Sequence, residues 1–299
     1  MPALTRPLAP LVSRGCACLA AVASAALGSC VDQPPPLCVT STAAFAVKLI
    51  EAGDRVESTP GACTGLGPAT FNADPEVGIS PYYLRAGNGQ PDYKRGSIAI
   101  QTAELGALVI AAEGRGVTNT PDGQLYSRGD FASAEPDEQN FCNVPSLSPT
   151  RVLLPAIDPV ADDPATADVD ESLPGQAAVD ATLAWSNVRV YVTADIFGTQ
   201  MDGELVDTRV TPAGDSCTIT YRALGLAPAI PCMALDPESG APLTNPDGSL
   251  QLDPAACNSE ADPASGRYFG SGLSPSARFE CNAETGFCMI EGDSVPALR

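Results

Sequence analysis

The chain has 299 residues, with 16 lysines and arginines against 36 aspartates and glutamates, a formal net charge of −20 and no histidine. So acidic a surface repels nucleic-acid phosphates and anionic headgroups, which argues against nucleic acid as a partner and for cations or basic surfaces. The missing histidine excludes Ser-His-Asp and Cys-His catalysis in their usual forms, and His-ligated zinc sites with them.

The stretch Cys16–Cys30, CACLAAVASAALGSC, follows Arg6 and Arg14, carries no acid and stops before Asp32. It has the n-region and h-region of a secretory signal and is too short to span a bilayer comfortably. Its last four residues, Leu27-Gly28-Ser29-Cys30, resemble the lipobox of bacterial lipoproteins. The resemblance implies cleavage before Cys30 and a diacylglycerol on its thiol, so that the chain is held to a membrane through a lipid anchor. Val31, where an Asp would mark inner-membrane retention in that family, implies the outer membrane, with the leaflet open. Beyond the leader, the body is similar only in composition to uncharacterised lipoproteins of high-GC diderm bacteria. Plain secretion after Ala23-Ser24-Ala25 is the alternative.

Cysteine parity bears on that choice. Of eleven cysteines, Cys16 and Cys18 would leave with residues 1–29 and Cys30 would carry lipid. Eight remain: Cys38, Cys63, Cys142, Cys217, Cys232, Cys257, Cys281 and Cys288. An even set in an exported chain reads as four disulfides, whereas plain secretion strands a ninth thiol. The expected pairs are Cys38–Cys63, Cys142–Cys217, Cys232–Cys257 and Cys281–Cys288. The mature chain would keep 14 bases against 36 acids, a net of −22.

Residues 30–37 form a stem stiffened by Pro34-Pro35-Pro36. Residues 38–292 are expected as one all-β domain, an antiparallel β-sandwich with long loops and disulfide staples, followed by a tail at 293–299. Phe45, Val47 and Leu49 alternate with period two, as strands do. Glu51–Pro81 carries turn signals and reads as loop. Ser97–Thr102 alternates again, and the apolar run Leu105–Ala112 reads as a strand. Residues 143–175 are punctuated by six prolines, and Asp158–Glu171 holds six acids without a base, so this stretch reads as loop, with the acidic part at about 156–175. Three of the eight cysteines precede that part and five follow, so at least one disulfide must cross it.

The strongest alternation follows. Val179, Ala181, Leu183 and Trp185 share a face, after which Val188, Val190 and Val192 take over on even numbers, the phase shift of a β-bulge at Ser186-Asn187. Glu204–Val210 and Cys217–Ala223 complete a meander. Pro121-Asp122-Gly123-Gln124 and Pro246-Asp247-Gly248-Ser249 read as tight turns. Arg278–Ile290 reads as a last hairpin, with Cys281 opposite Cys288.

Few residues carry chemistry. Gly292-Asp293-Ser294 is a chance match to an esterase motif, since no histidine exists to complete it. Asp162, Asp163, Asp168, Asp170 and Glu171 offer hard oxygen ligands, so calcium is the one conceivable cofactor, though no EF-hand spacing is present and the expected metal complement is none. The stretch Pro81–Gly96 gathers Tyr82, Tyr83 and Tyr93 with Arg85, Lys94 and Arg95, a composition suited to stacking on a glycan or meeting an acidic envelope protein. Gly87-Asn88-Gly89 would form the hairpin tip that presents them. The expected function is a non-enzymatic binding or envelope-structural role. The alternative is a lipid-anchored hydrolase acting on polysaccharide through paired carboxylates.

Overall fold

Ten of the chain's strands join into one antiparallel sheet. In the computed structural model, residues 36–67, 75–119, 124–160 and 172–299 are described. The strands are β1 (Phe45–Glu51), β2 (Val56–Glu57), β3 (Glu76–Arg85), β4 (Pro91–Thr102), β5 (Ser127–Asp130), β6 (Phe141–Ser146), β7 (Thr150–Leu154), β8 (Val179–Val192), β9 (Phe197–Val210) and β10 (Ser216–Leu226). One helix, α1 (Ala103–Glu113), and a separate hairpin of β11 (Phe279–Cys281) and β12 (Cys288–Ile290) complete the regular elements. The order across the sheet is β5-β4-β3-β1-β10-β9-β8-β6, with β2 against β10 and β7 against β8. The fold is all-β.

The two walls of the expected sandwich belong to this one sheet, which curls until its outer strands almost meet. At the seam the Ser148 amide donates to the Arg128 carbonyl and the Ala132 amide to the Asn143 carbonyl, both at 2.8 Å. Gly129 is where the walls touch: a Cβ there would lie 2.4 Å from the Ser146 carbonyl oxygen and 2.7 Å from a Val144 methyl. Pro145, which has no N–H to offer a ladder, lies on β6 beside that seam, where an edge strand tolerates it.

Inward-facing residues fill the near-barrel. Phe45, Val47, Val77, Ile79, Ile98, Ile100, Leu183, Trp185, Val188, Val190, Leu205, Ile219 and Tyr221 belong to one buried cluster. The phase shift in β8 is present as expected: register slips between Ser186 and Arg189, and Asn187 adopts φ 51°. Asparagine tolerates that left-handed conformation better than most side chains.

The run Leu105–Ala112 is helix rather than strand. Alanine and leucine are good helix formers, and Leu105, Val109 and Ala112 fall on one side at i, i+4 and i+7. At the same end of the barrel, Arg209 donates to both carboxylate oxygens of Glu104 on α1 through its two terminal guanidinium nitrogens at 3.1 and 3.0 Å, and to Asp207 through Nε at 2.7 Å.

Two stretches expected as loop contain strands. β3 begins at Glu76, because Val77 and Ile79 supply a short alternation that the surrounding turn residues mask. Within 143–175, β6 and β7 both form, and the ladder continues past them through the bridges Ile157–Gln176 and Val160–Leu173. The described flanks of the acidic stretch, 157–160 and 173–176, thus extend the β7–β8 hairpin. Residues 161–171, including the candidate calcium ligands, and the turn at 121–123 lie outside the described residues.

Residues beyond β10 build a lobe on the outer face of the sheet. Phe141, Tyr191, Ile196, Leu224 and Leu226 project outward and share a second buried cluster with Leu273, Ile290, Val295 and Ala297. The last residues, 293–299, are woven in: the Ala297 amide donates to Gln200 at 2.9 Å, and Ala277 bridges Leu298. The turn at Pro246–Ser249 closes as expected, with the Asn245 amide on the Ser249 carbonyl at 2.8 Å and Gly248 at φ 85°.

All eight cysteines are paired, but none as expected. The bonds are Cys38–Cys142, Cys63–Cys217, Cys232–Cys281 and Cys257–Cys288. Cys38 and Cys63 flank β1 and fall at opposite ends of the barrel, too far apart to join. Each instead bonds to the strand that starts beside it, Cys142 on β6 and Cys217 on β10. Cys63–Cys217 is the bond that crosses the acidic stretch. In the last hairpin Cys281 does stand opposite Cys288, yet they bond to different segments of the lobe. The sulfurs of Cys232, Cys257 and Cys281 lie within 4.8 Å of one another, and every one is spent in a disulfide, so they are no metal site.

Candidate functional site

The hairpin of β3 and β4 runs past the start of β1, the barrel end at which the chain enters from the stem. Its tip is tight, with the Ala86 amide on the Gln90 carbonyl at 2.8 Å and Gly89 at φ 83°. Below the tip the register jumps: Tyr83 faces Gly96, but Leu84 faces Asp92. Tyr93, Lys94 and Arg95 are therefore displaced from the ladder, and the bulge aims all three outward.

The six predicted patch residues thus share one hairpin but do two jobs. Tyr83 is a brace: its ring meets Tyr93 edge-on at 4.9 Å, and its hydroxyl donates to the Cys38 carbonyl at 3.1 Å. Burial, and then the neighbouring Tyr93, push its phenol above the usual value. Tyr82 and Tyr93 are about half exposed, at 52% and 51%, as is Leu84 at 50%. Leu84 was not foreseen, and the alternation that puts it on Tyr82's face was the available signal. Arg95 is tied to Asp92 at 2.7 Å and Arg85 to the Gly89 carbonyl at 3.3 Å, while the Lys94 ammonium has no ion-pair partner among the described residues. The result is a cationic, aromatic projection on an acidic protein.

A second site lies on the outer face of β8, β9 and β10, where side chains stand in rungs across the strands. The rung Leu226, Gln200, Tyr191 and Phe141 is covered by the lobe. The next carries Asp202, Arg189 and Asn143. Arg189 donates to both oxygens of Asp202, through Nε at 2.8 Å and again through Nη2, and its guanidinium lies 4.5 Å from the centre of the Phe141 ring. The Asp202 hydrogen bonds hold the Arg189 pKa above its ordinary value against the cost of burial. Asp137 accepts from the Phe141 and Gln139 amides and from Asn143, and these bonds, the Phe141 amide foremost, hold its carboxyl below the usual range.

The rung after it is Arg222, Glu204 and the β8 bulge. Glu204 accepts from the Asn187 amide at 3.0 Å and the Ser186 hydroxyl at 3.3 Å. These residues, with Thr220, Val188 and Pro145, line a groove of about 640 Å³. A wider and more open groove, of about 1240 Å³, follows the seam past Gln101, Tyr126, Arg128 and Asp130. Nothing in the sequence singled out either groove, because Asp202, Glu204 and Arg222 occupy the ordinary polar positions of alternating strands.

Fold and staples together define a disulfide-bonded all-β protein whose candidate sites face outward. The chain belongs to the MlpA family, whose sequence pattern matches residues 53–228, from just before β2 to just past β10. A Myxococcus xanthus protein described as a candidate lipoprotein, MlpA, is 24% identical over 274 residues, which is 90% of this chain and 90% of its own. No solved structure matches the chain. No helix among the described residues is long and apolar enough to cross a membrane.

Proposed function

We propose that the chain is exported, cut before Cys30, lipidated there and held at the outer membrane, where it binds an acidic envelope component without catalysing a reaction. The observation that carries the binding role is the β3–β4 hairpin. Its exposed rings and cations project from a net charge of −20, and Tyr83 fixes it beside the residue where the stem joins the body. A lipid on Cys30 would leave only residues 31–37 between membrane and body, roughly 20 Å if extended as polyproline. The hairpin would then be presented at a set height above the bilayer. Kinship with a candidate lipoprotein over 90% of both chains supports the anchor.

Intact mass of the membrane-extracted protein tests the anchor: a diacylated Cys30 is expected, with a gain of eight hydrogens when the four disulfides are reduced. An unlipidated mass beginning near Ala26 would refute it. For the patch, Tyr82→Ala/Arg85→Ala/Tyr93→Ala is expected to lose binding to acidic envelope fractions that retain the wild type. Equal retention of the triple variant would end that reading.

A further inference from the structure

The groove on the outer face is independent of the hairpin and is built differently. Glu204 and Arg222 are register partners on adjacent strands, directly opposite and on the same face. An acid and a base so placed ordinarily pair. Here they do not: Glu204 turns to Asn187 and Ser186, and Arg222 has no hydrogen-bond or ion-pair partner among the described residues. A carboxylate acceptor and a guanidinium donor are thus left side by side, facing one groove.

The groove is also charge-balanced. Arg189 and Arg222 offset Asp202 and Glu204, and the bulge that holds Asn187 at φ 51° sets the direction from which Glu204 is gripped. Bulges of this kind re-aim side chains next to binding sites. A strongly anionic ligand would gain little from a neutral groove and would be opposed by the net charge of −20. What fits is a neutral ligand that offers a donor and an acceptor a few ångströms apart.

We propose that this groove binds a neutral saccharide through vicinal hydroxyls, one donating to the Glu204 carboxylate and its neighbour accepting from the Arg222 guanidinium. Thr220 supplies a further hydroxyl, and the exposed Pro145 and Ala52 give the ring a small apolar surface to lie against. At about 640 Å³ the groove is of the size that holds small ligands, roughly 300–1,000 Å³.

The test is calorimetric titration of the mature full-length protein with three neutral trisaccharides, of glucose, mannose and galactose, and with a trigalacturonate of like size. At least one neutral trisaccharide is expected to bind, and E204Q and R222Q are each expected to weaken it by about tenfold or more. Urea midpoints should match the wild type, since neither side chain belongs to a buried cluster, and Thr220→Val provides a second probe of the groove should either variant be unstable. The hairpin triple variant should bind the sugar unchanged. The proposal is overturned if no neutral trisaccharide binds at millimolar concentration, if trigalacturonate binds more tightly, or if the groove variants keep wild-type affinity. Loss of sugar binding in the hairpin variant would also overturn it. A failed groove leaves the hairpin's binding of acidic fractions intact, so the two readings fail separately.

Discussion

Removing the Cys63–Cys217 bond is expected to cost more than removing either bond of the lobe, although all four are buried or nearly so. Cross-linking destabilises the unfolded chain by loop closure, in proportion to the logarithm of the loop it closes. The direct span is 154 residues, but Cys38–Cys142 already shortens it. The path that remains runs from Cys38 to Cys63 and from Cys142 to Cys217, about 100 residues, for which closure entropy gives about 4.7 kcal/mol. In the lobe, Cys257–Cys288 spans 31 residues, which gives about 3.7 kcal/mol. With a urea dependence of about 3 kcal/mol/M, Cys63→Ala/Cys217→Ala should lower the unfolding midpoint by about 1.6 M and Cys257→Ala/Cys288→Ala by about 1.2 M. Trp185, the one tryptophan and 2% exposed, reports unfolding of the barrel by fluorescence. Equal losses, or a larger one for the lobe pair, would refute the loop-closure argument.

Other perturbations should act locally. Gly129→Ala forces a methyl against the Ser146 carbonyl and should destabilise by about 1–3 kcal/mol, read as a drop in thermal midpoint, because both contacting walls are sheet. Glu104→Ala leaves Arg209 with Asp207 alone and should cost on the order of 3 kcal/mol in chemical denaturation, with α1 losing hydrogen-exchange protection first. The depressed pKa of Asp137 contributes stability that is fully present above its unfolded value and lost as pH falls through the folded one. Thermal midpoints measured below about pH 4 should therefore fall, and Asp137→Ala should flatten that limb. Asp207 has the opposite sign: burial raises its pKa, so its contribution weakens as pH rises through that raised value, and Asp207→Asn should remove this dependence.

The sequence carried the fold where alternation is unbroken. In β8 even the bulge was legible, because a one-residue shift moves every later valine to the other parity. It failed where a local signal was shared by two structures. LGALVIAA satisfies a buried strand and a buried helix alike, and only its place at the barrel end decides for the helix. Disulfide pairing failed for a different reason. Neighbours in sequence such as Cys38 and Cys63 are separated by the length of a strand, and their true partners become adjacent only when the sheet closes. The hairpin patch was visible because tyrosine and cationic residues are scarce in this chain. The groove was not, since Glu204 and Arg222 look like any solvent-facing pair until the register sets them opposite and the bulge draws one of them away.

The Cys38–Cys142 bond has a mechanical consequence. If the chain is tethered as proposed above, it is pulled through its stem whenever the membrane moves against whatever the body holds. Force entering at residue 38 meets a covalent link to β6 before it reaches any ladder hydrogen bond, and it spreads at once to both neighbours of the stem, the braced hairpin and the seam. β1, whose seven residues lie at the centre of the sheet and would otherwise be the first to be drawn out, carries little of the load. The body is therefore harnessed at its rim, and it should stay folded under a pull that would unzip the same sheet held by its first strand.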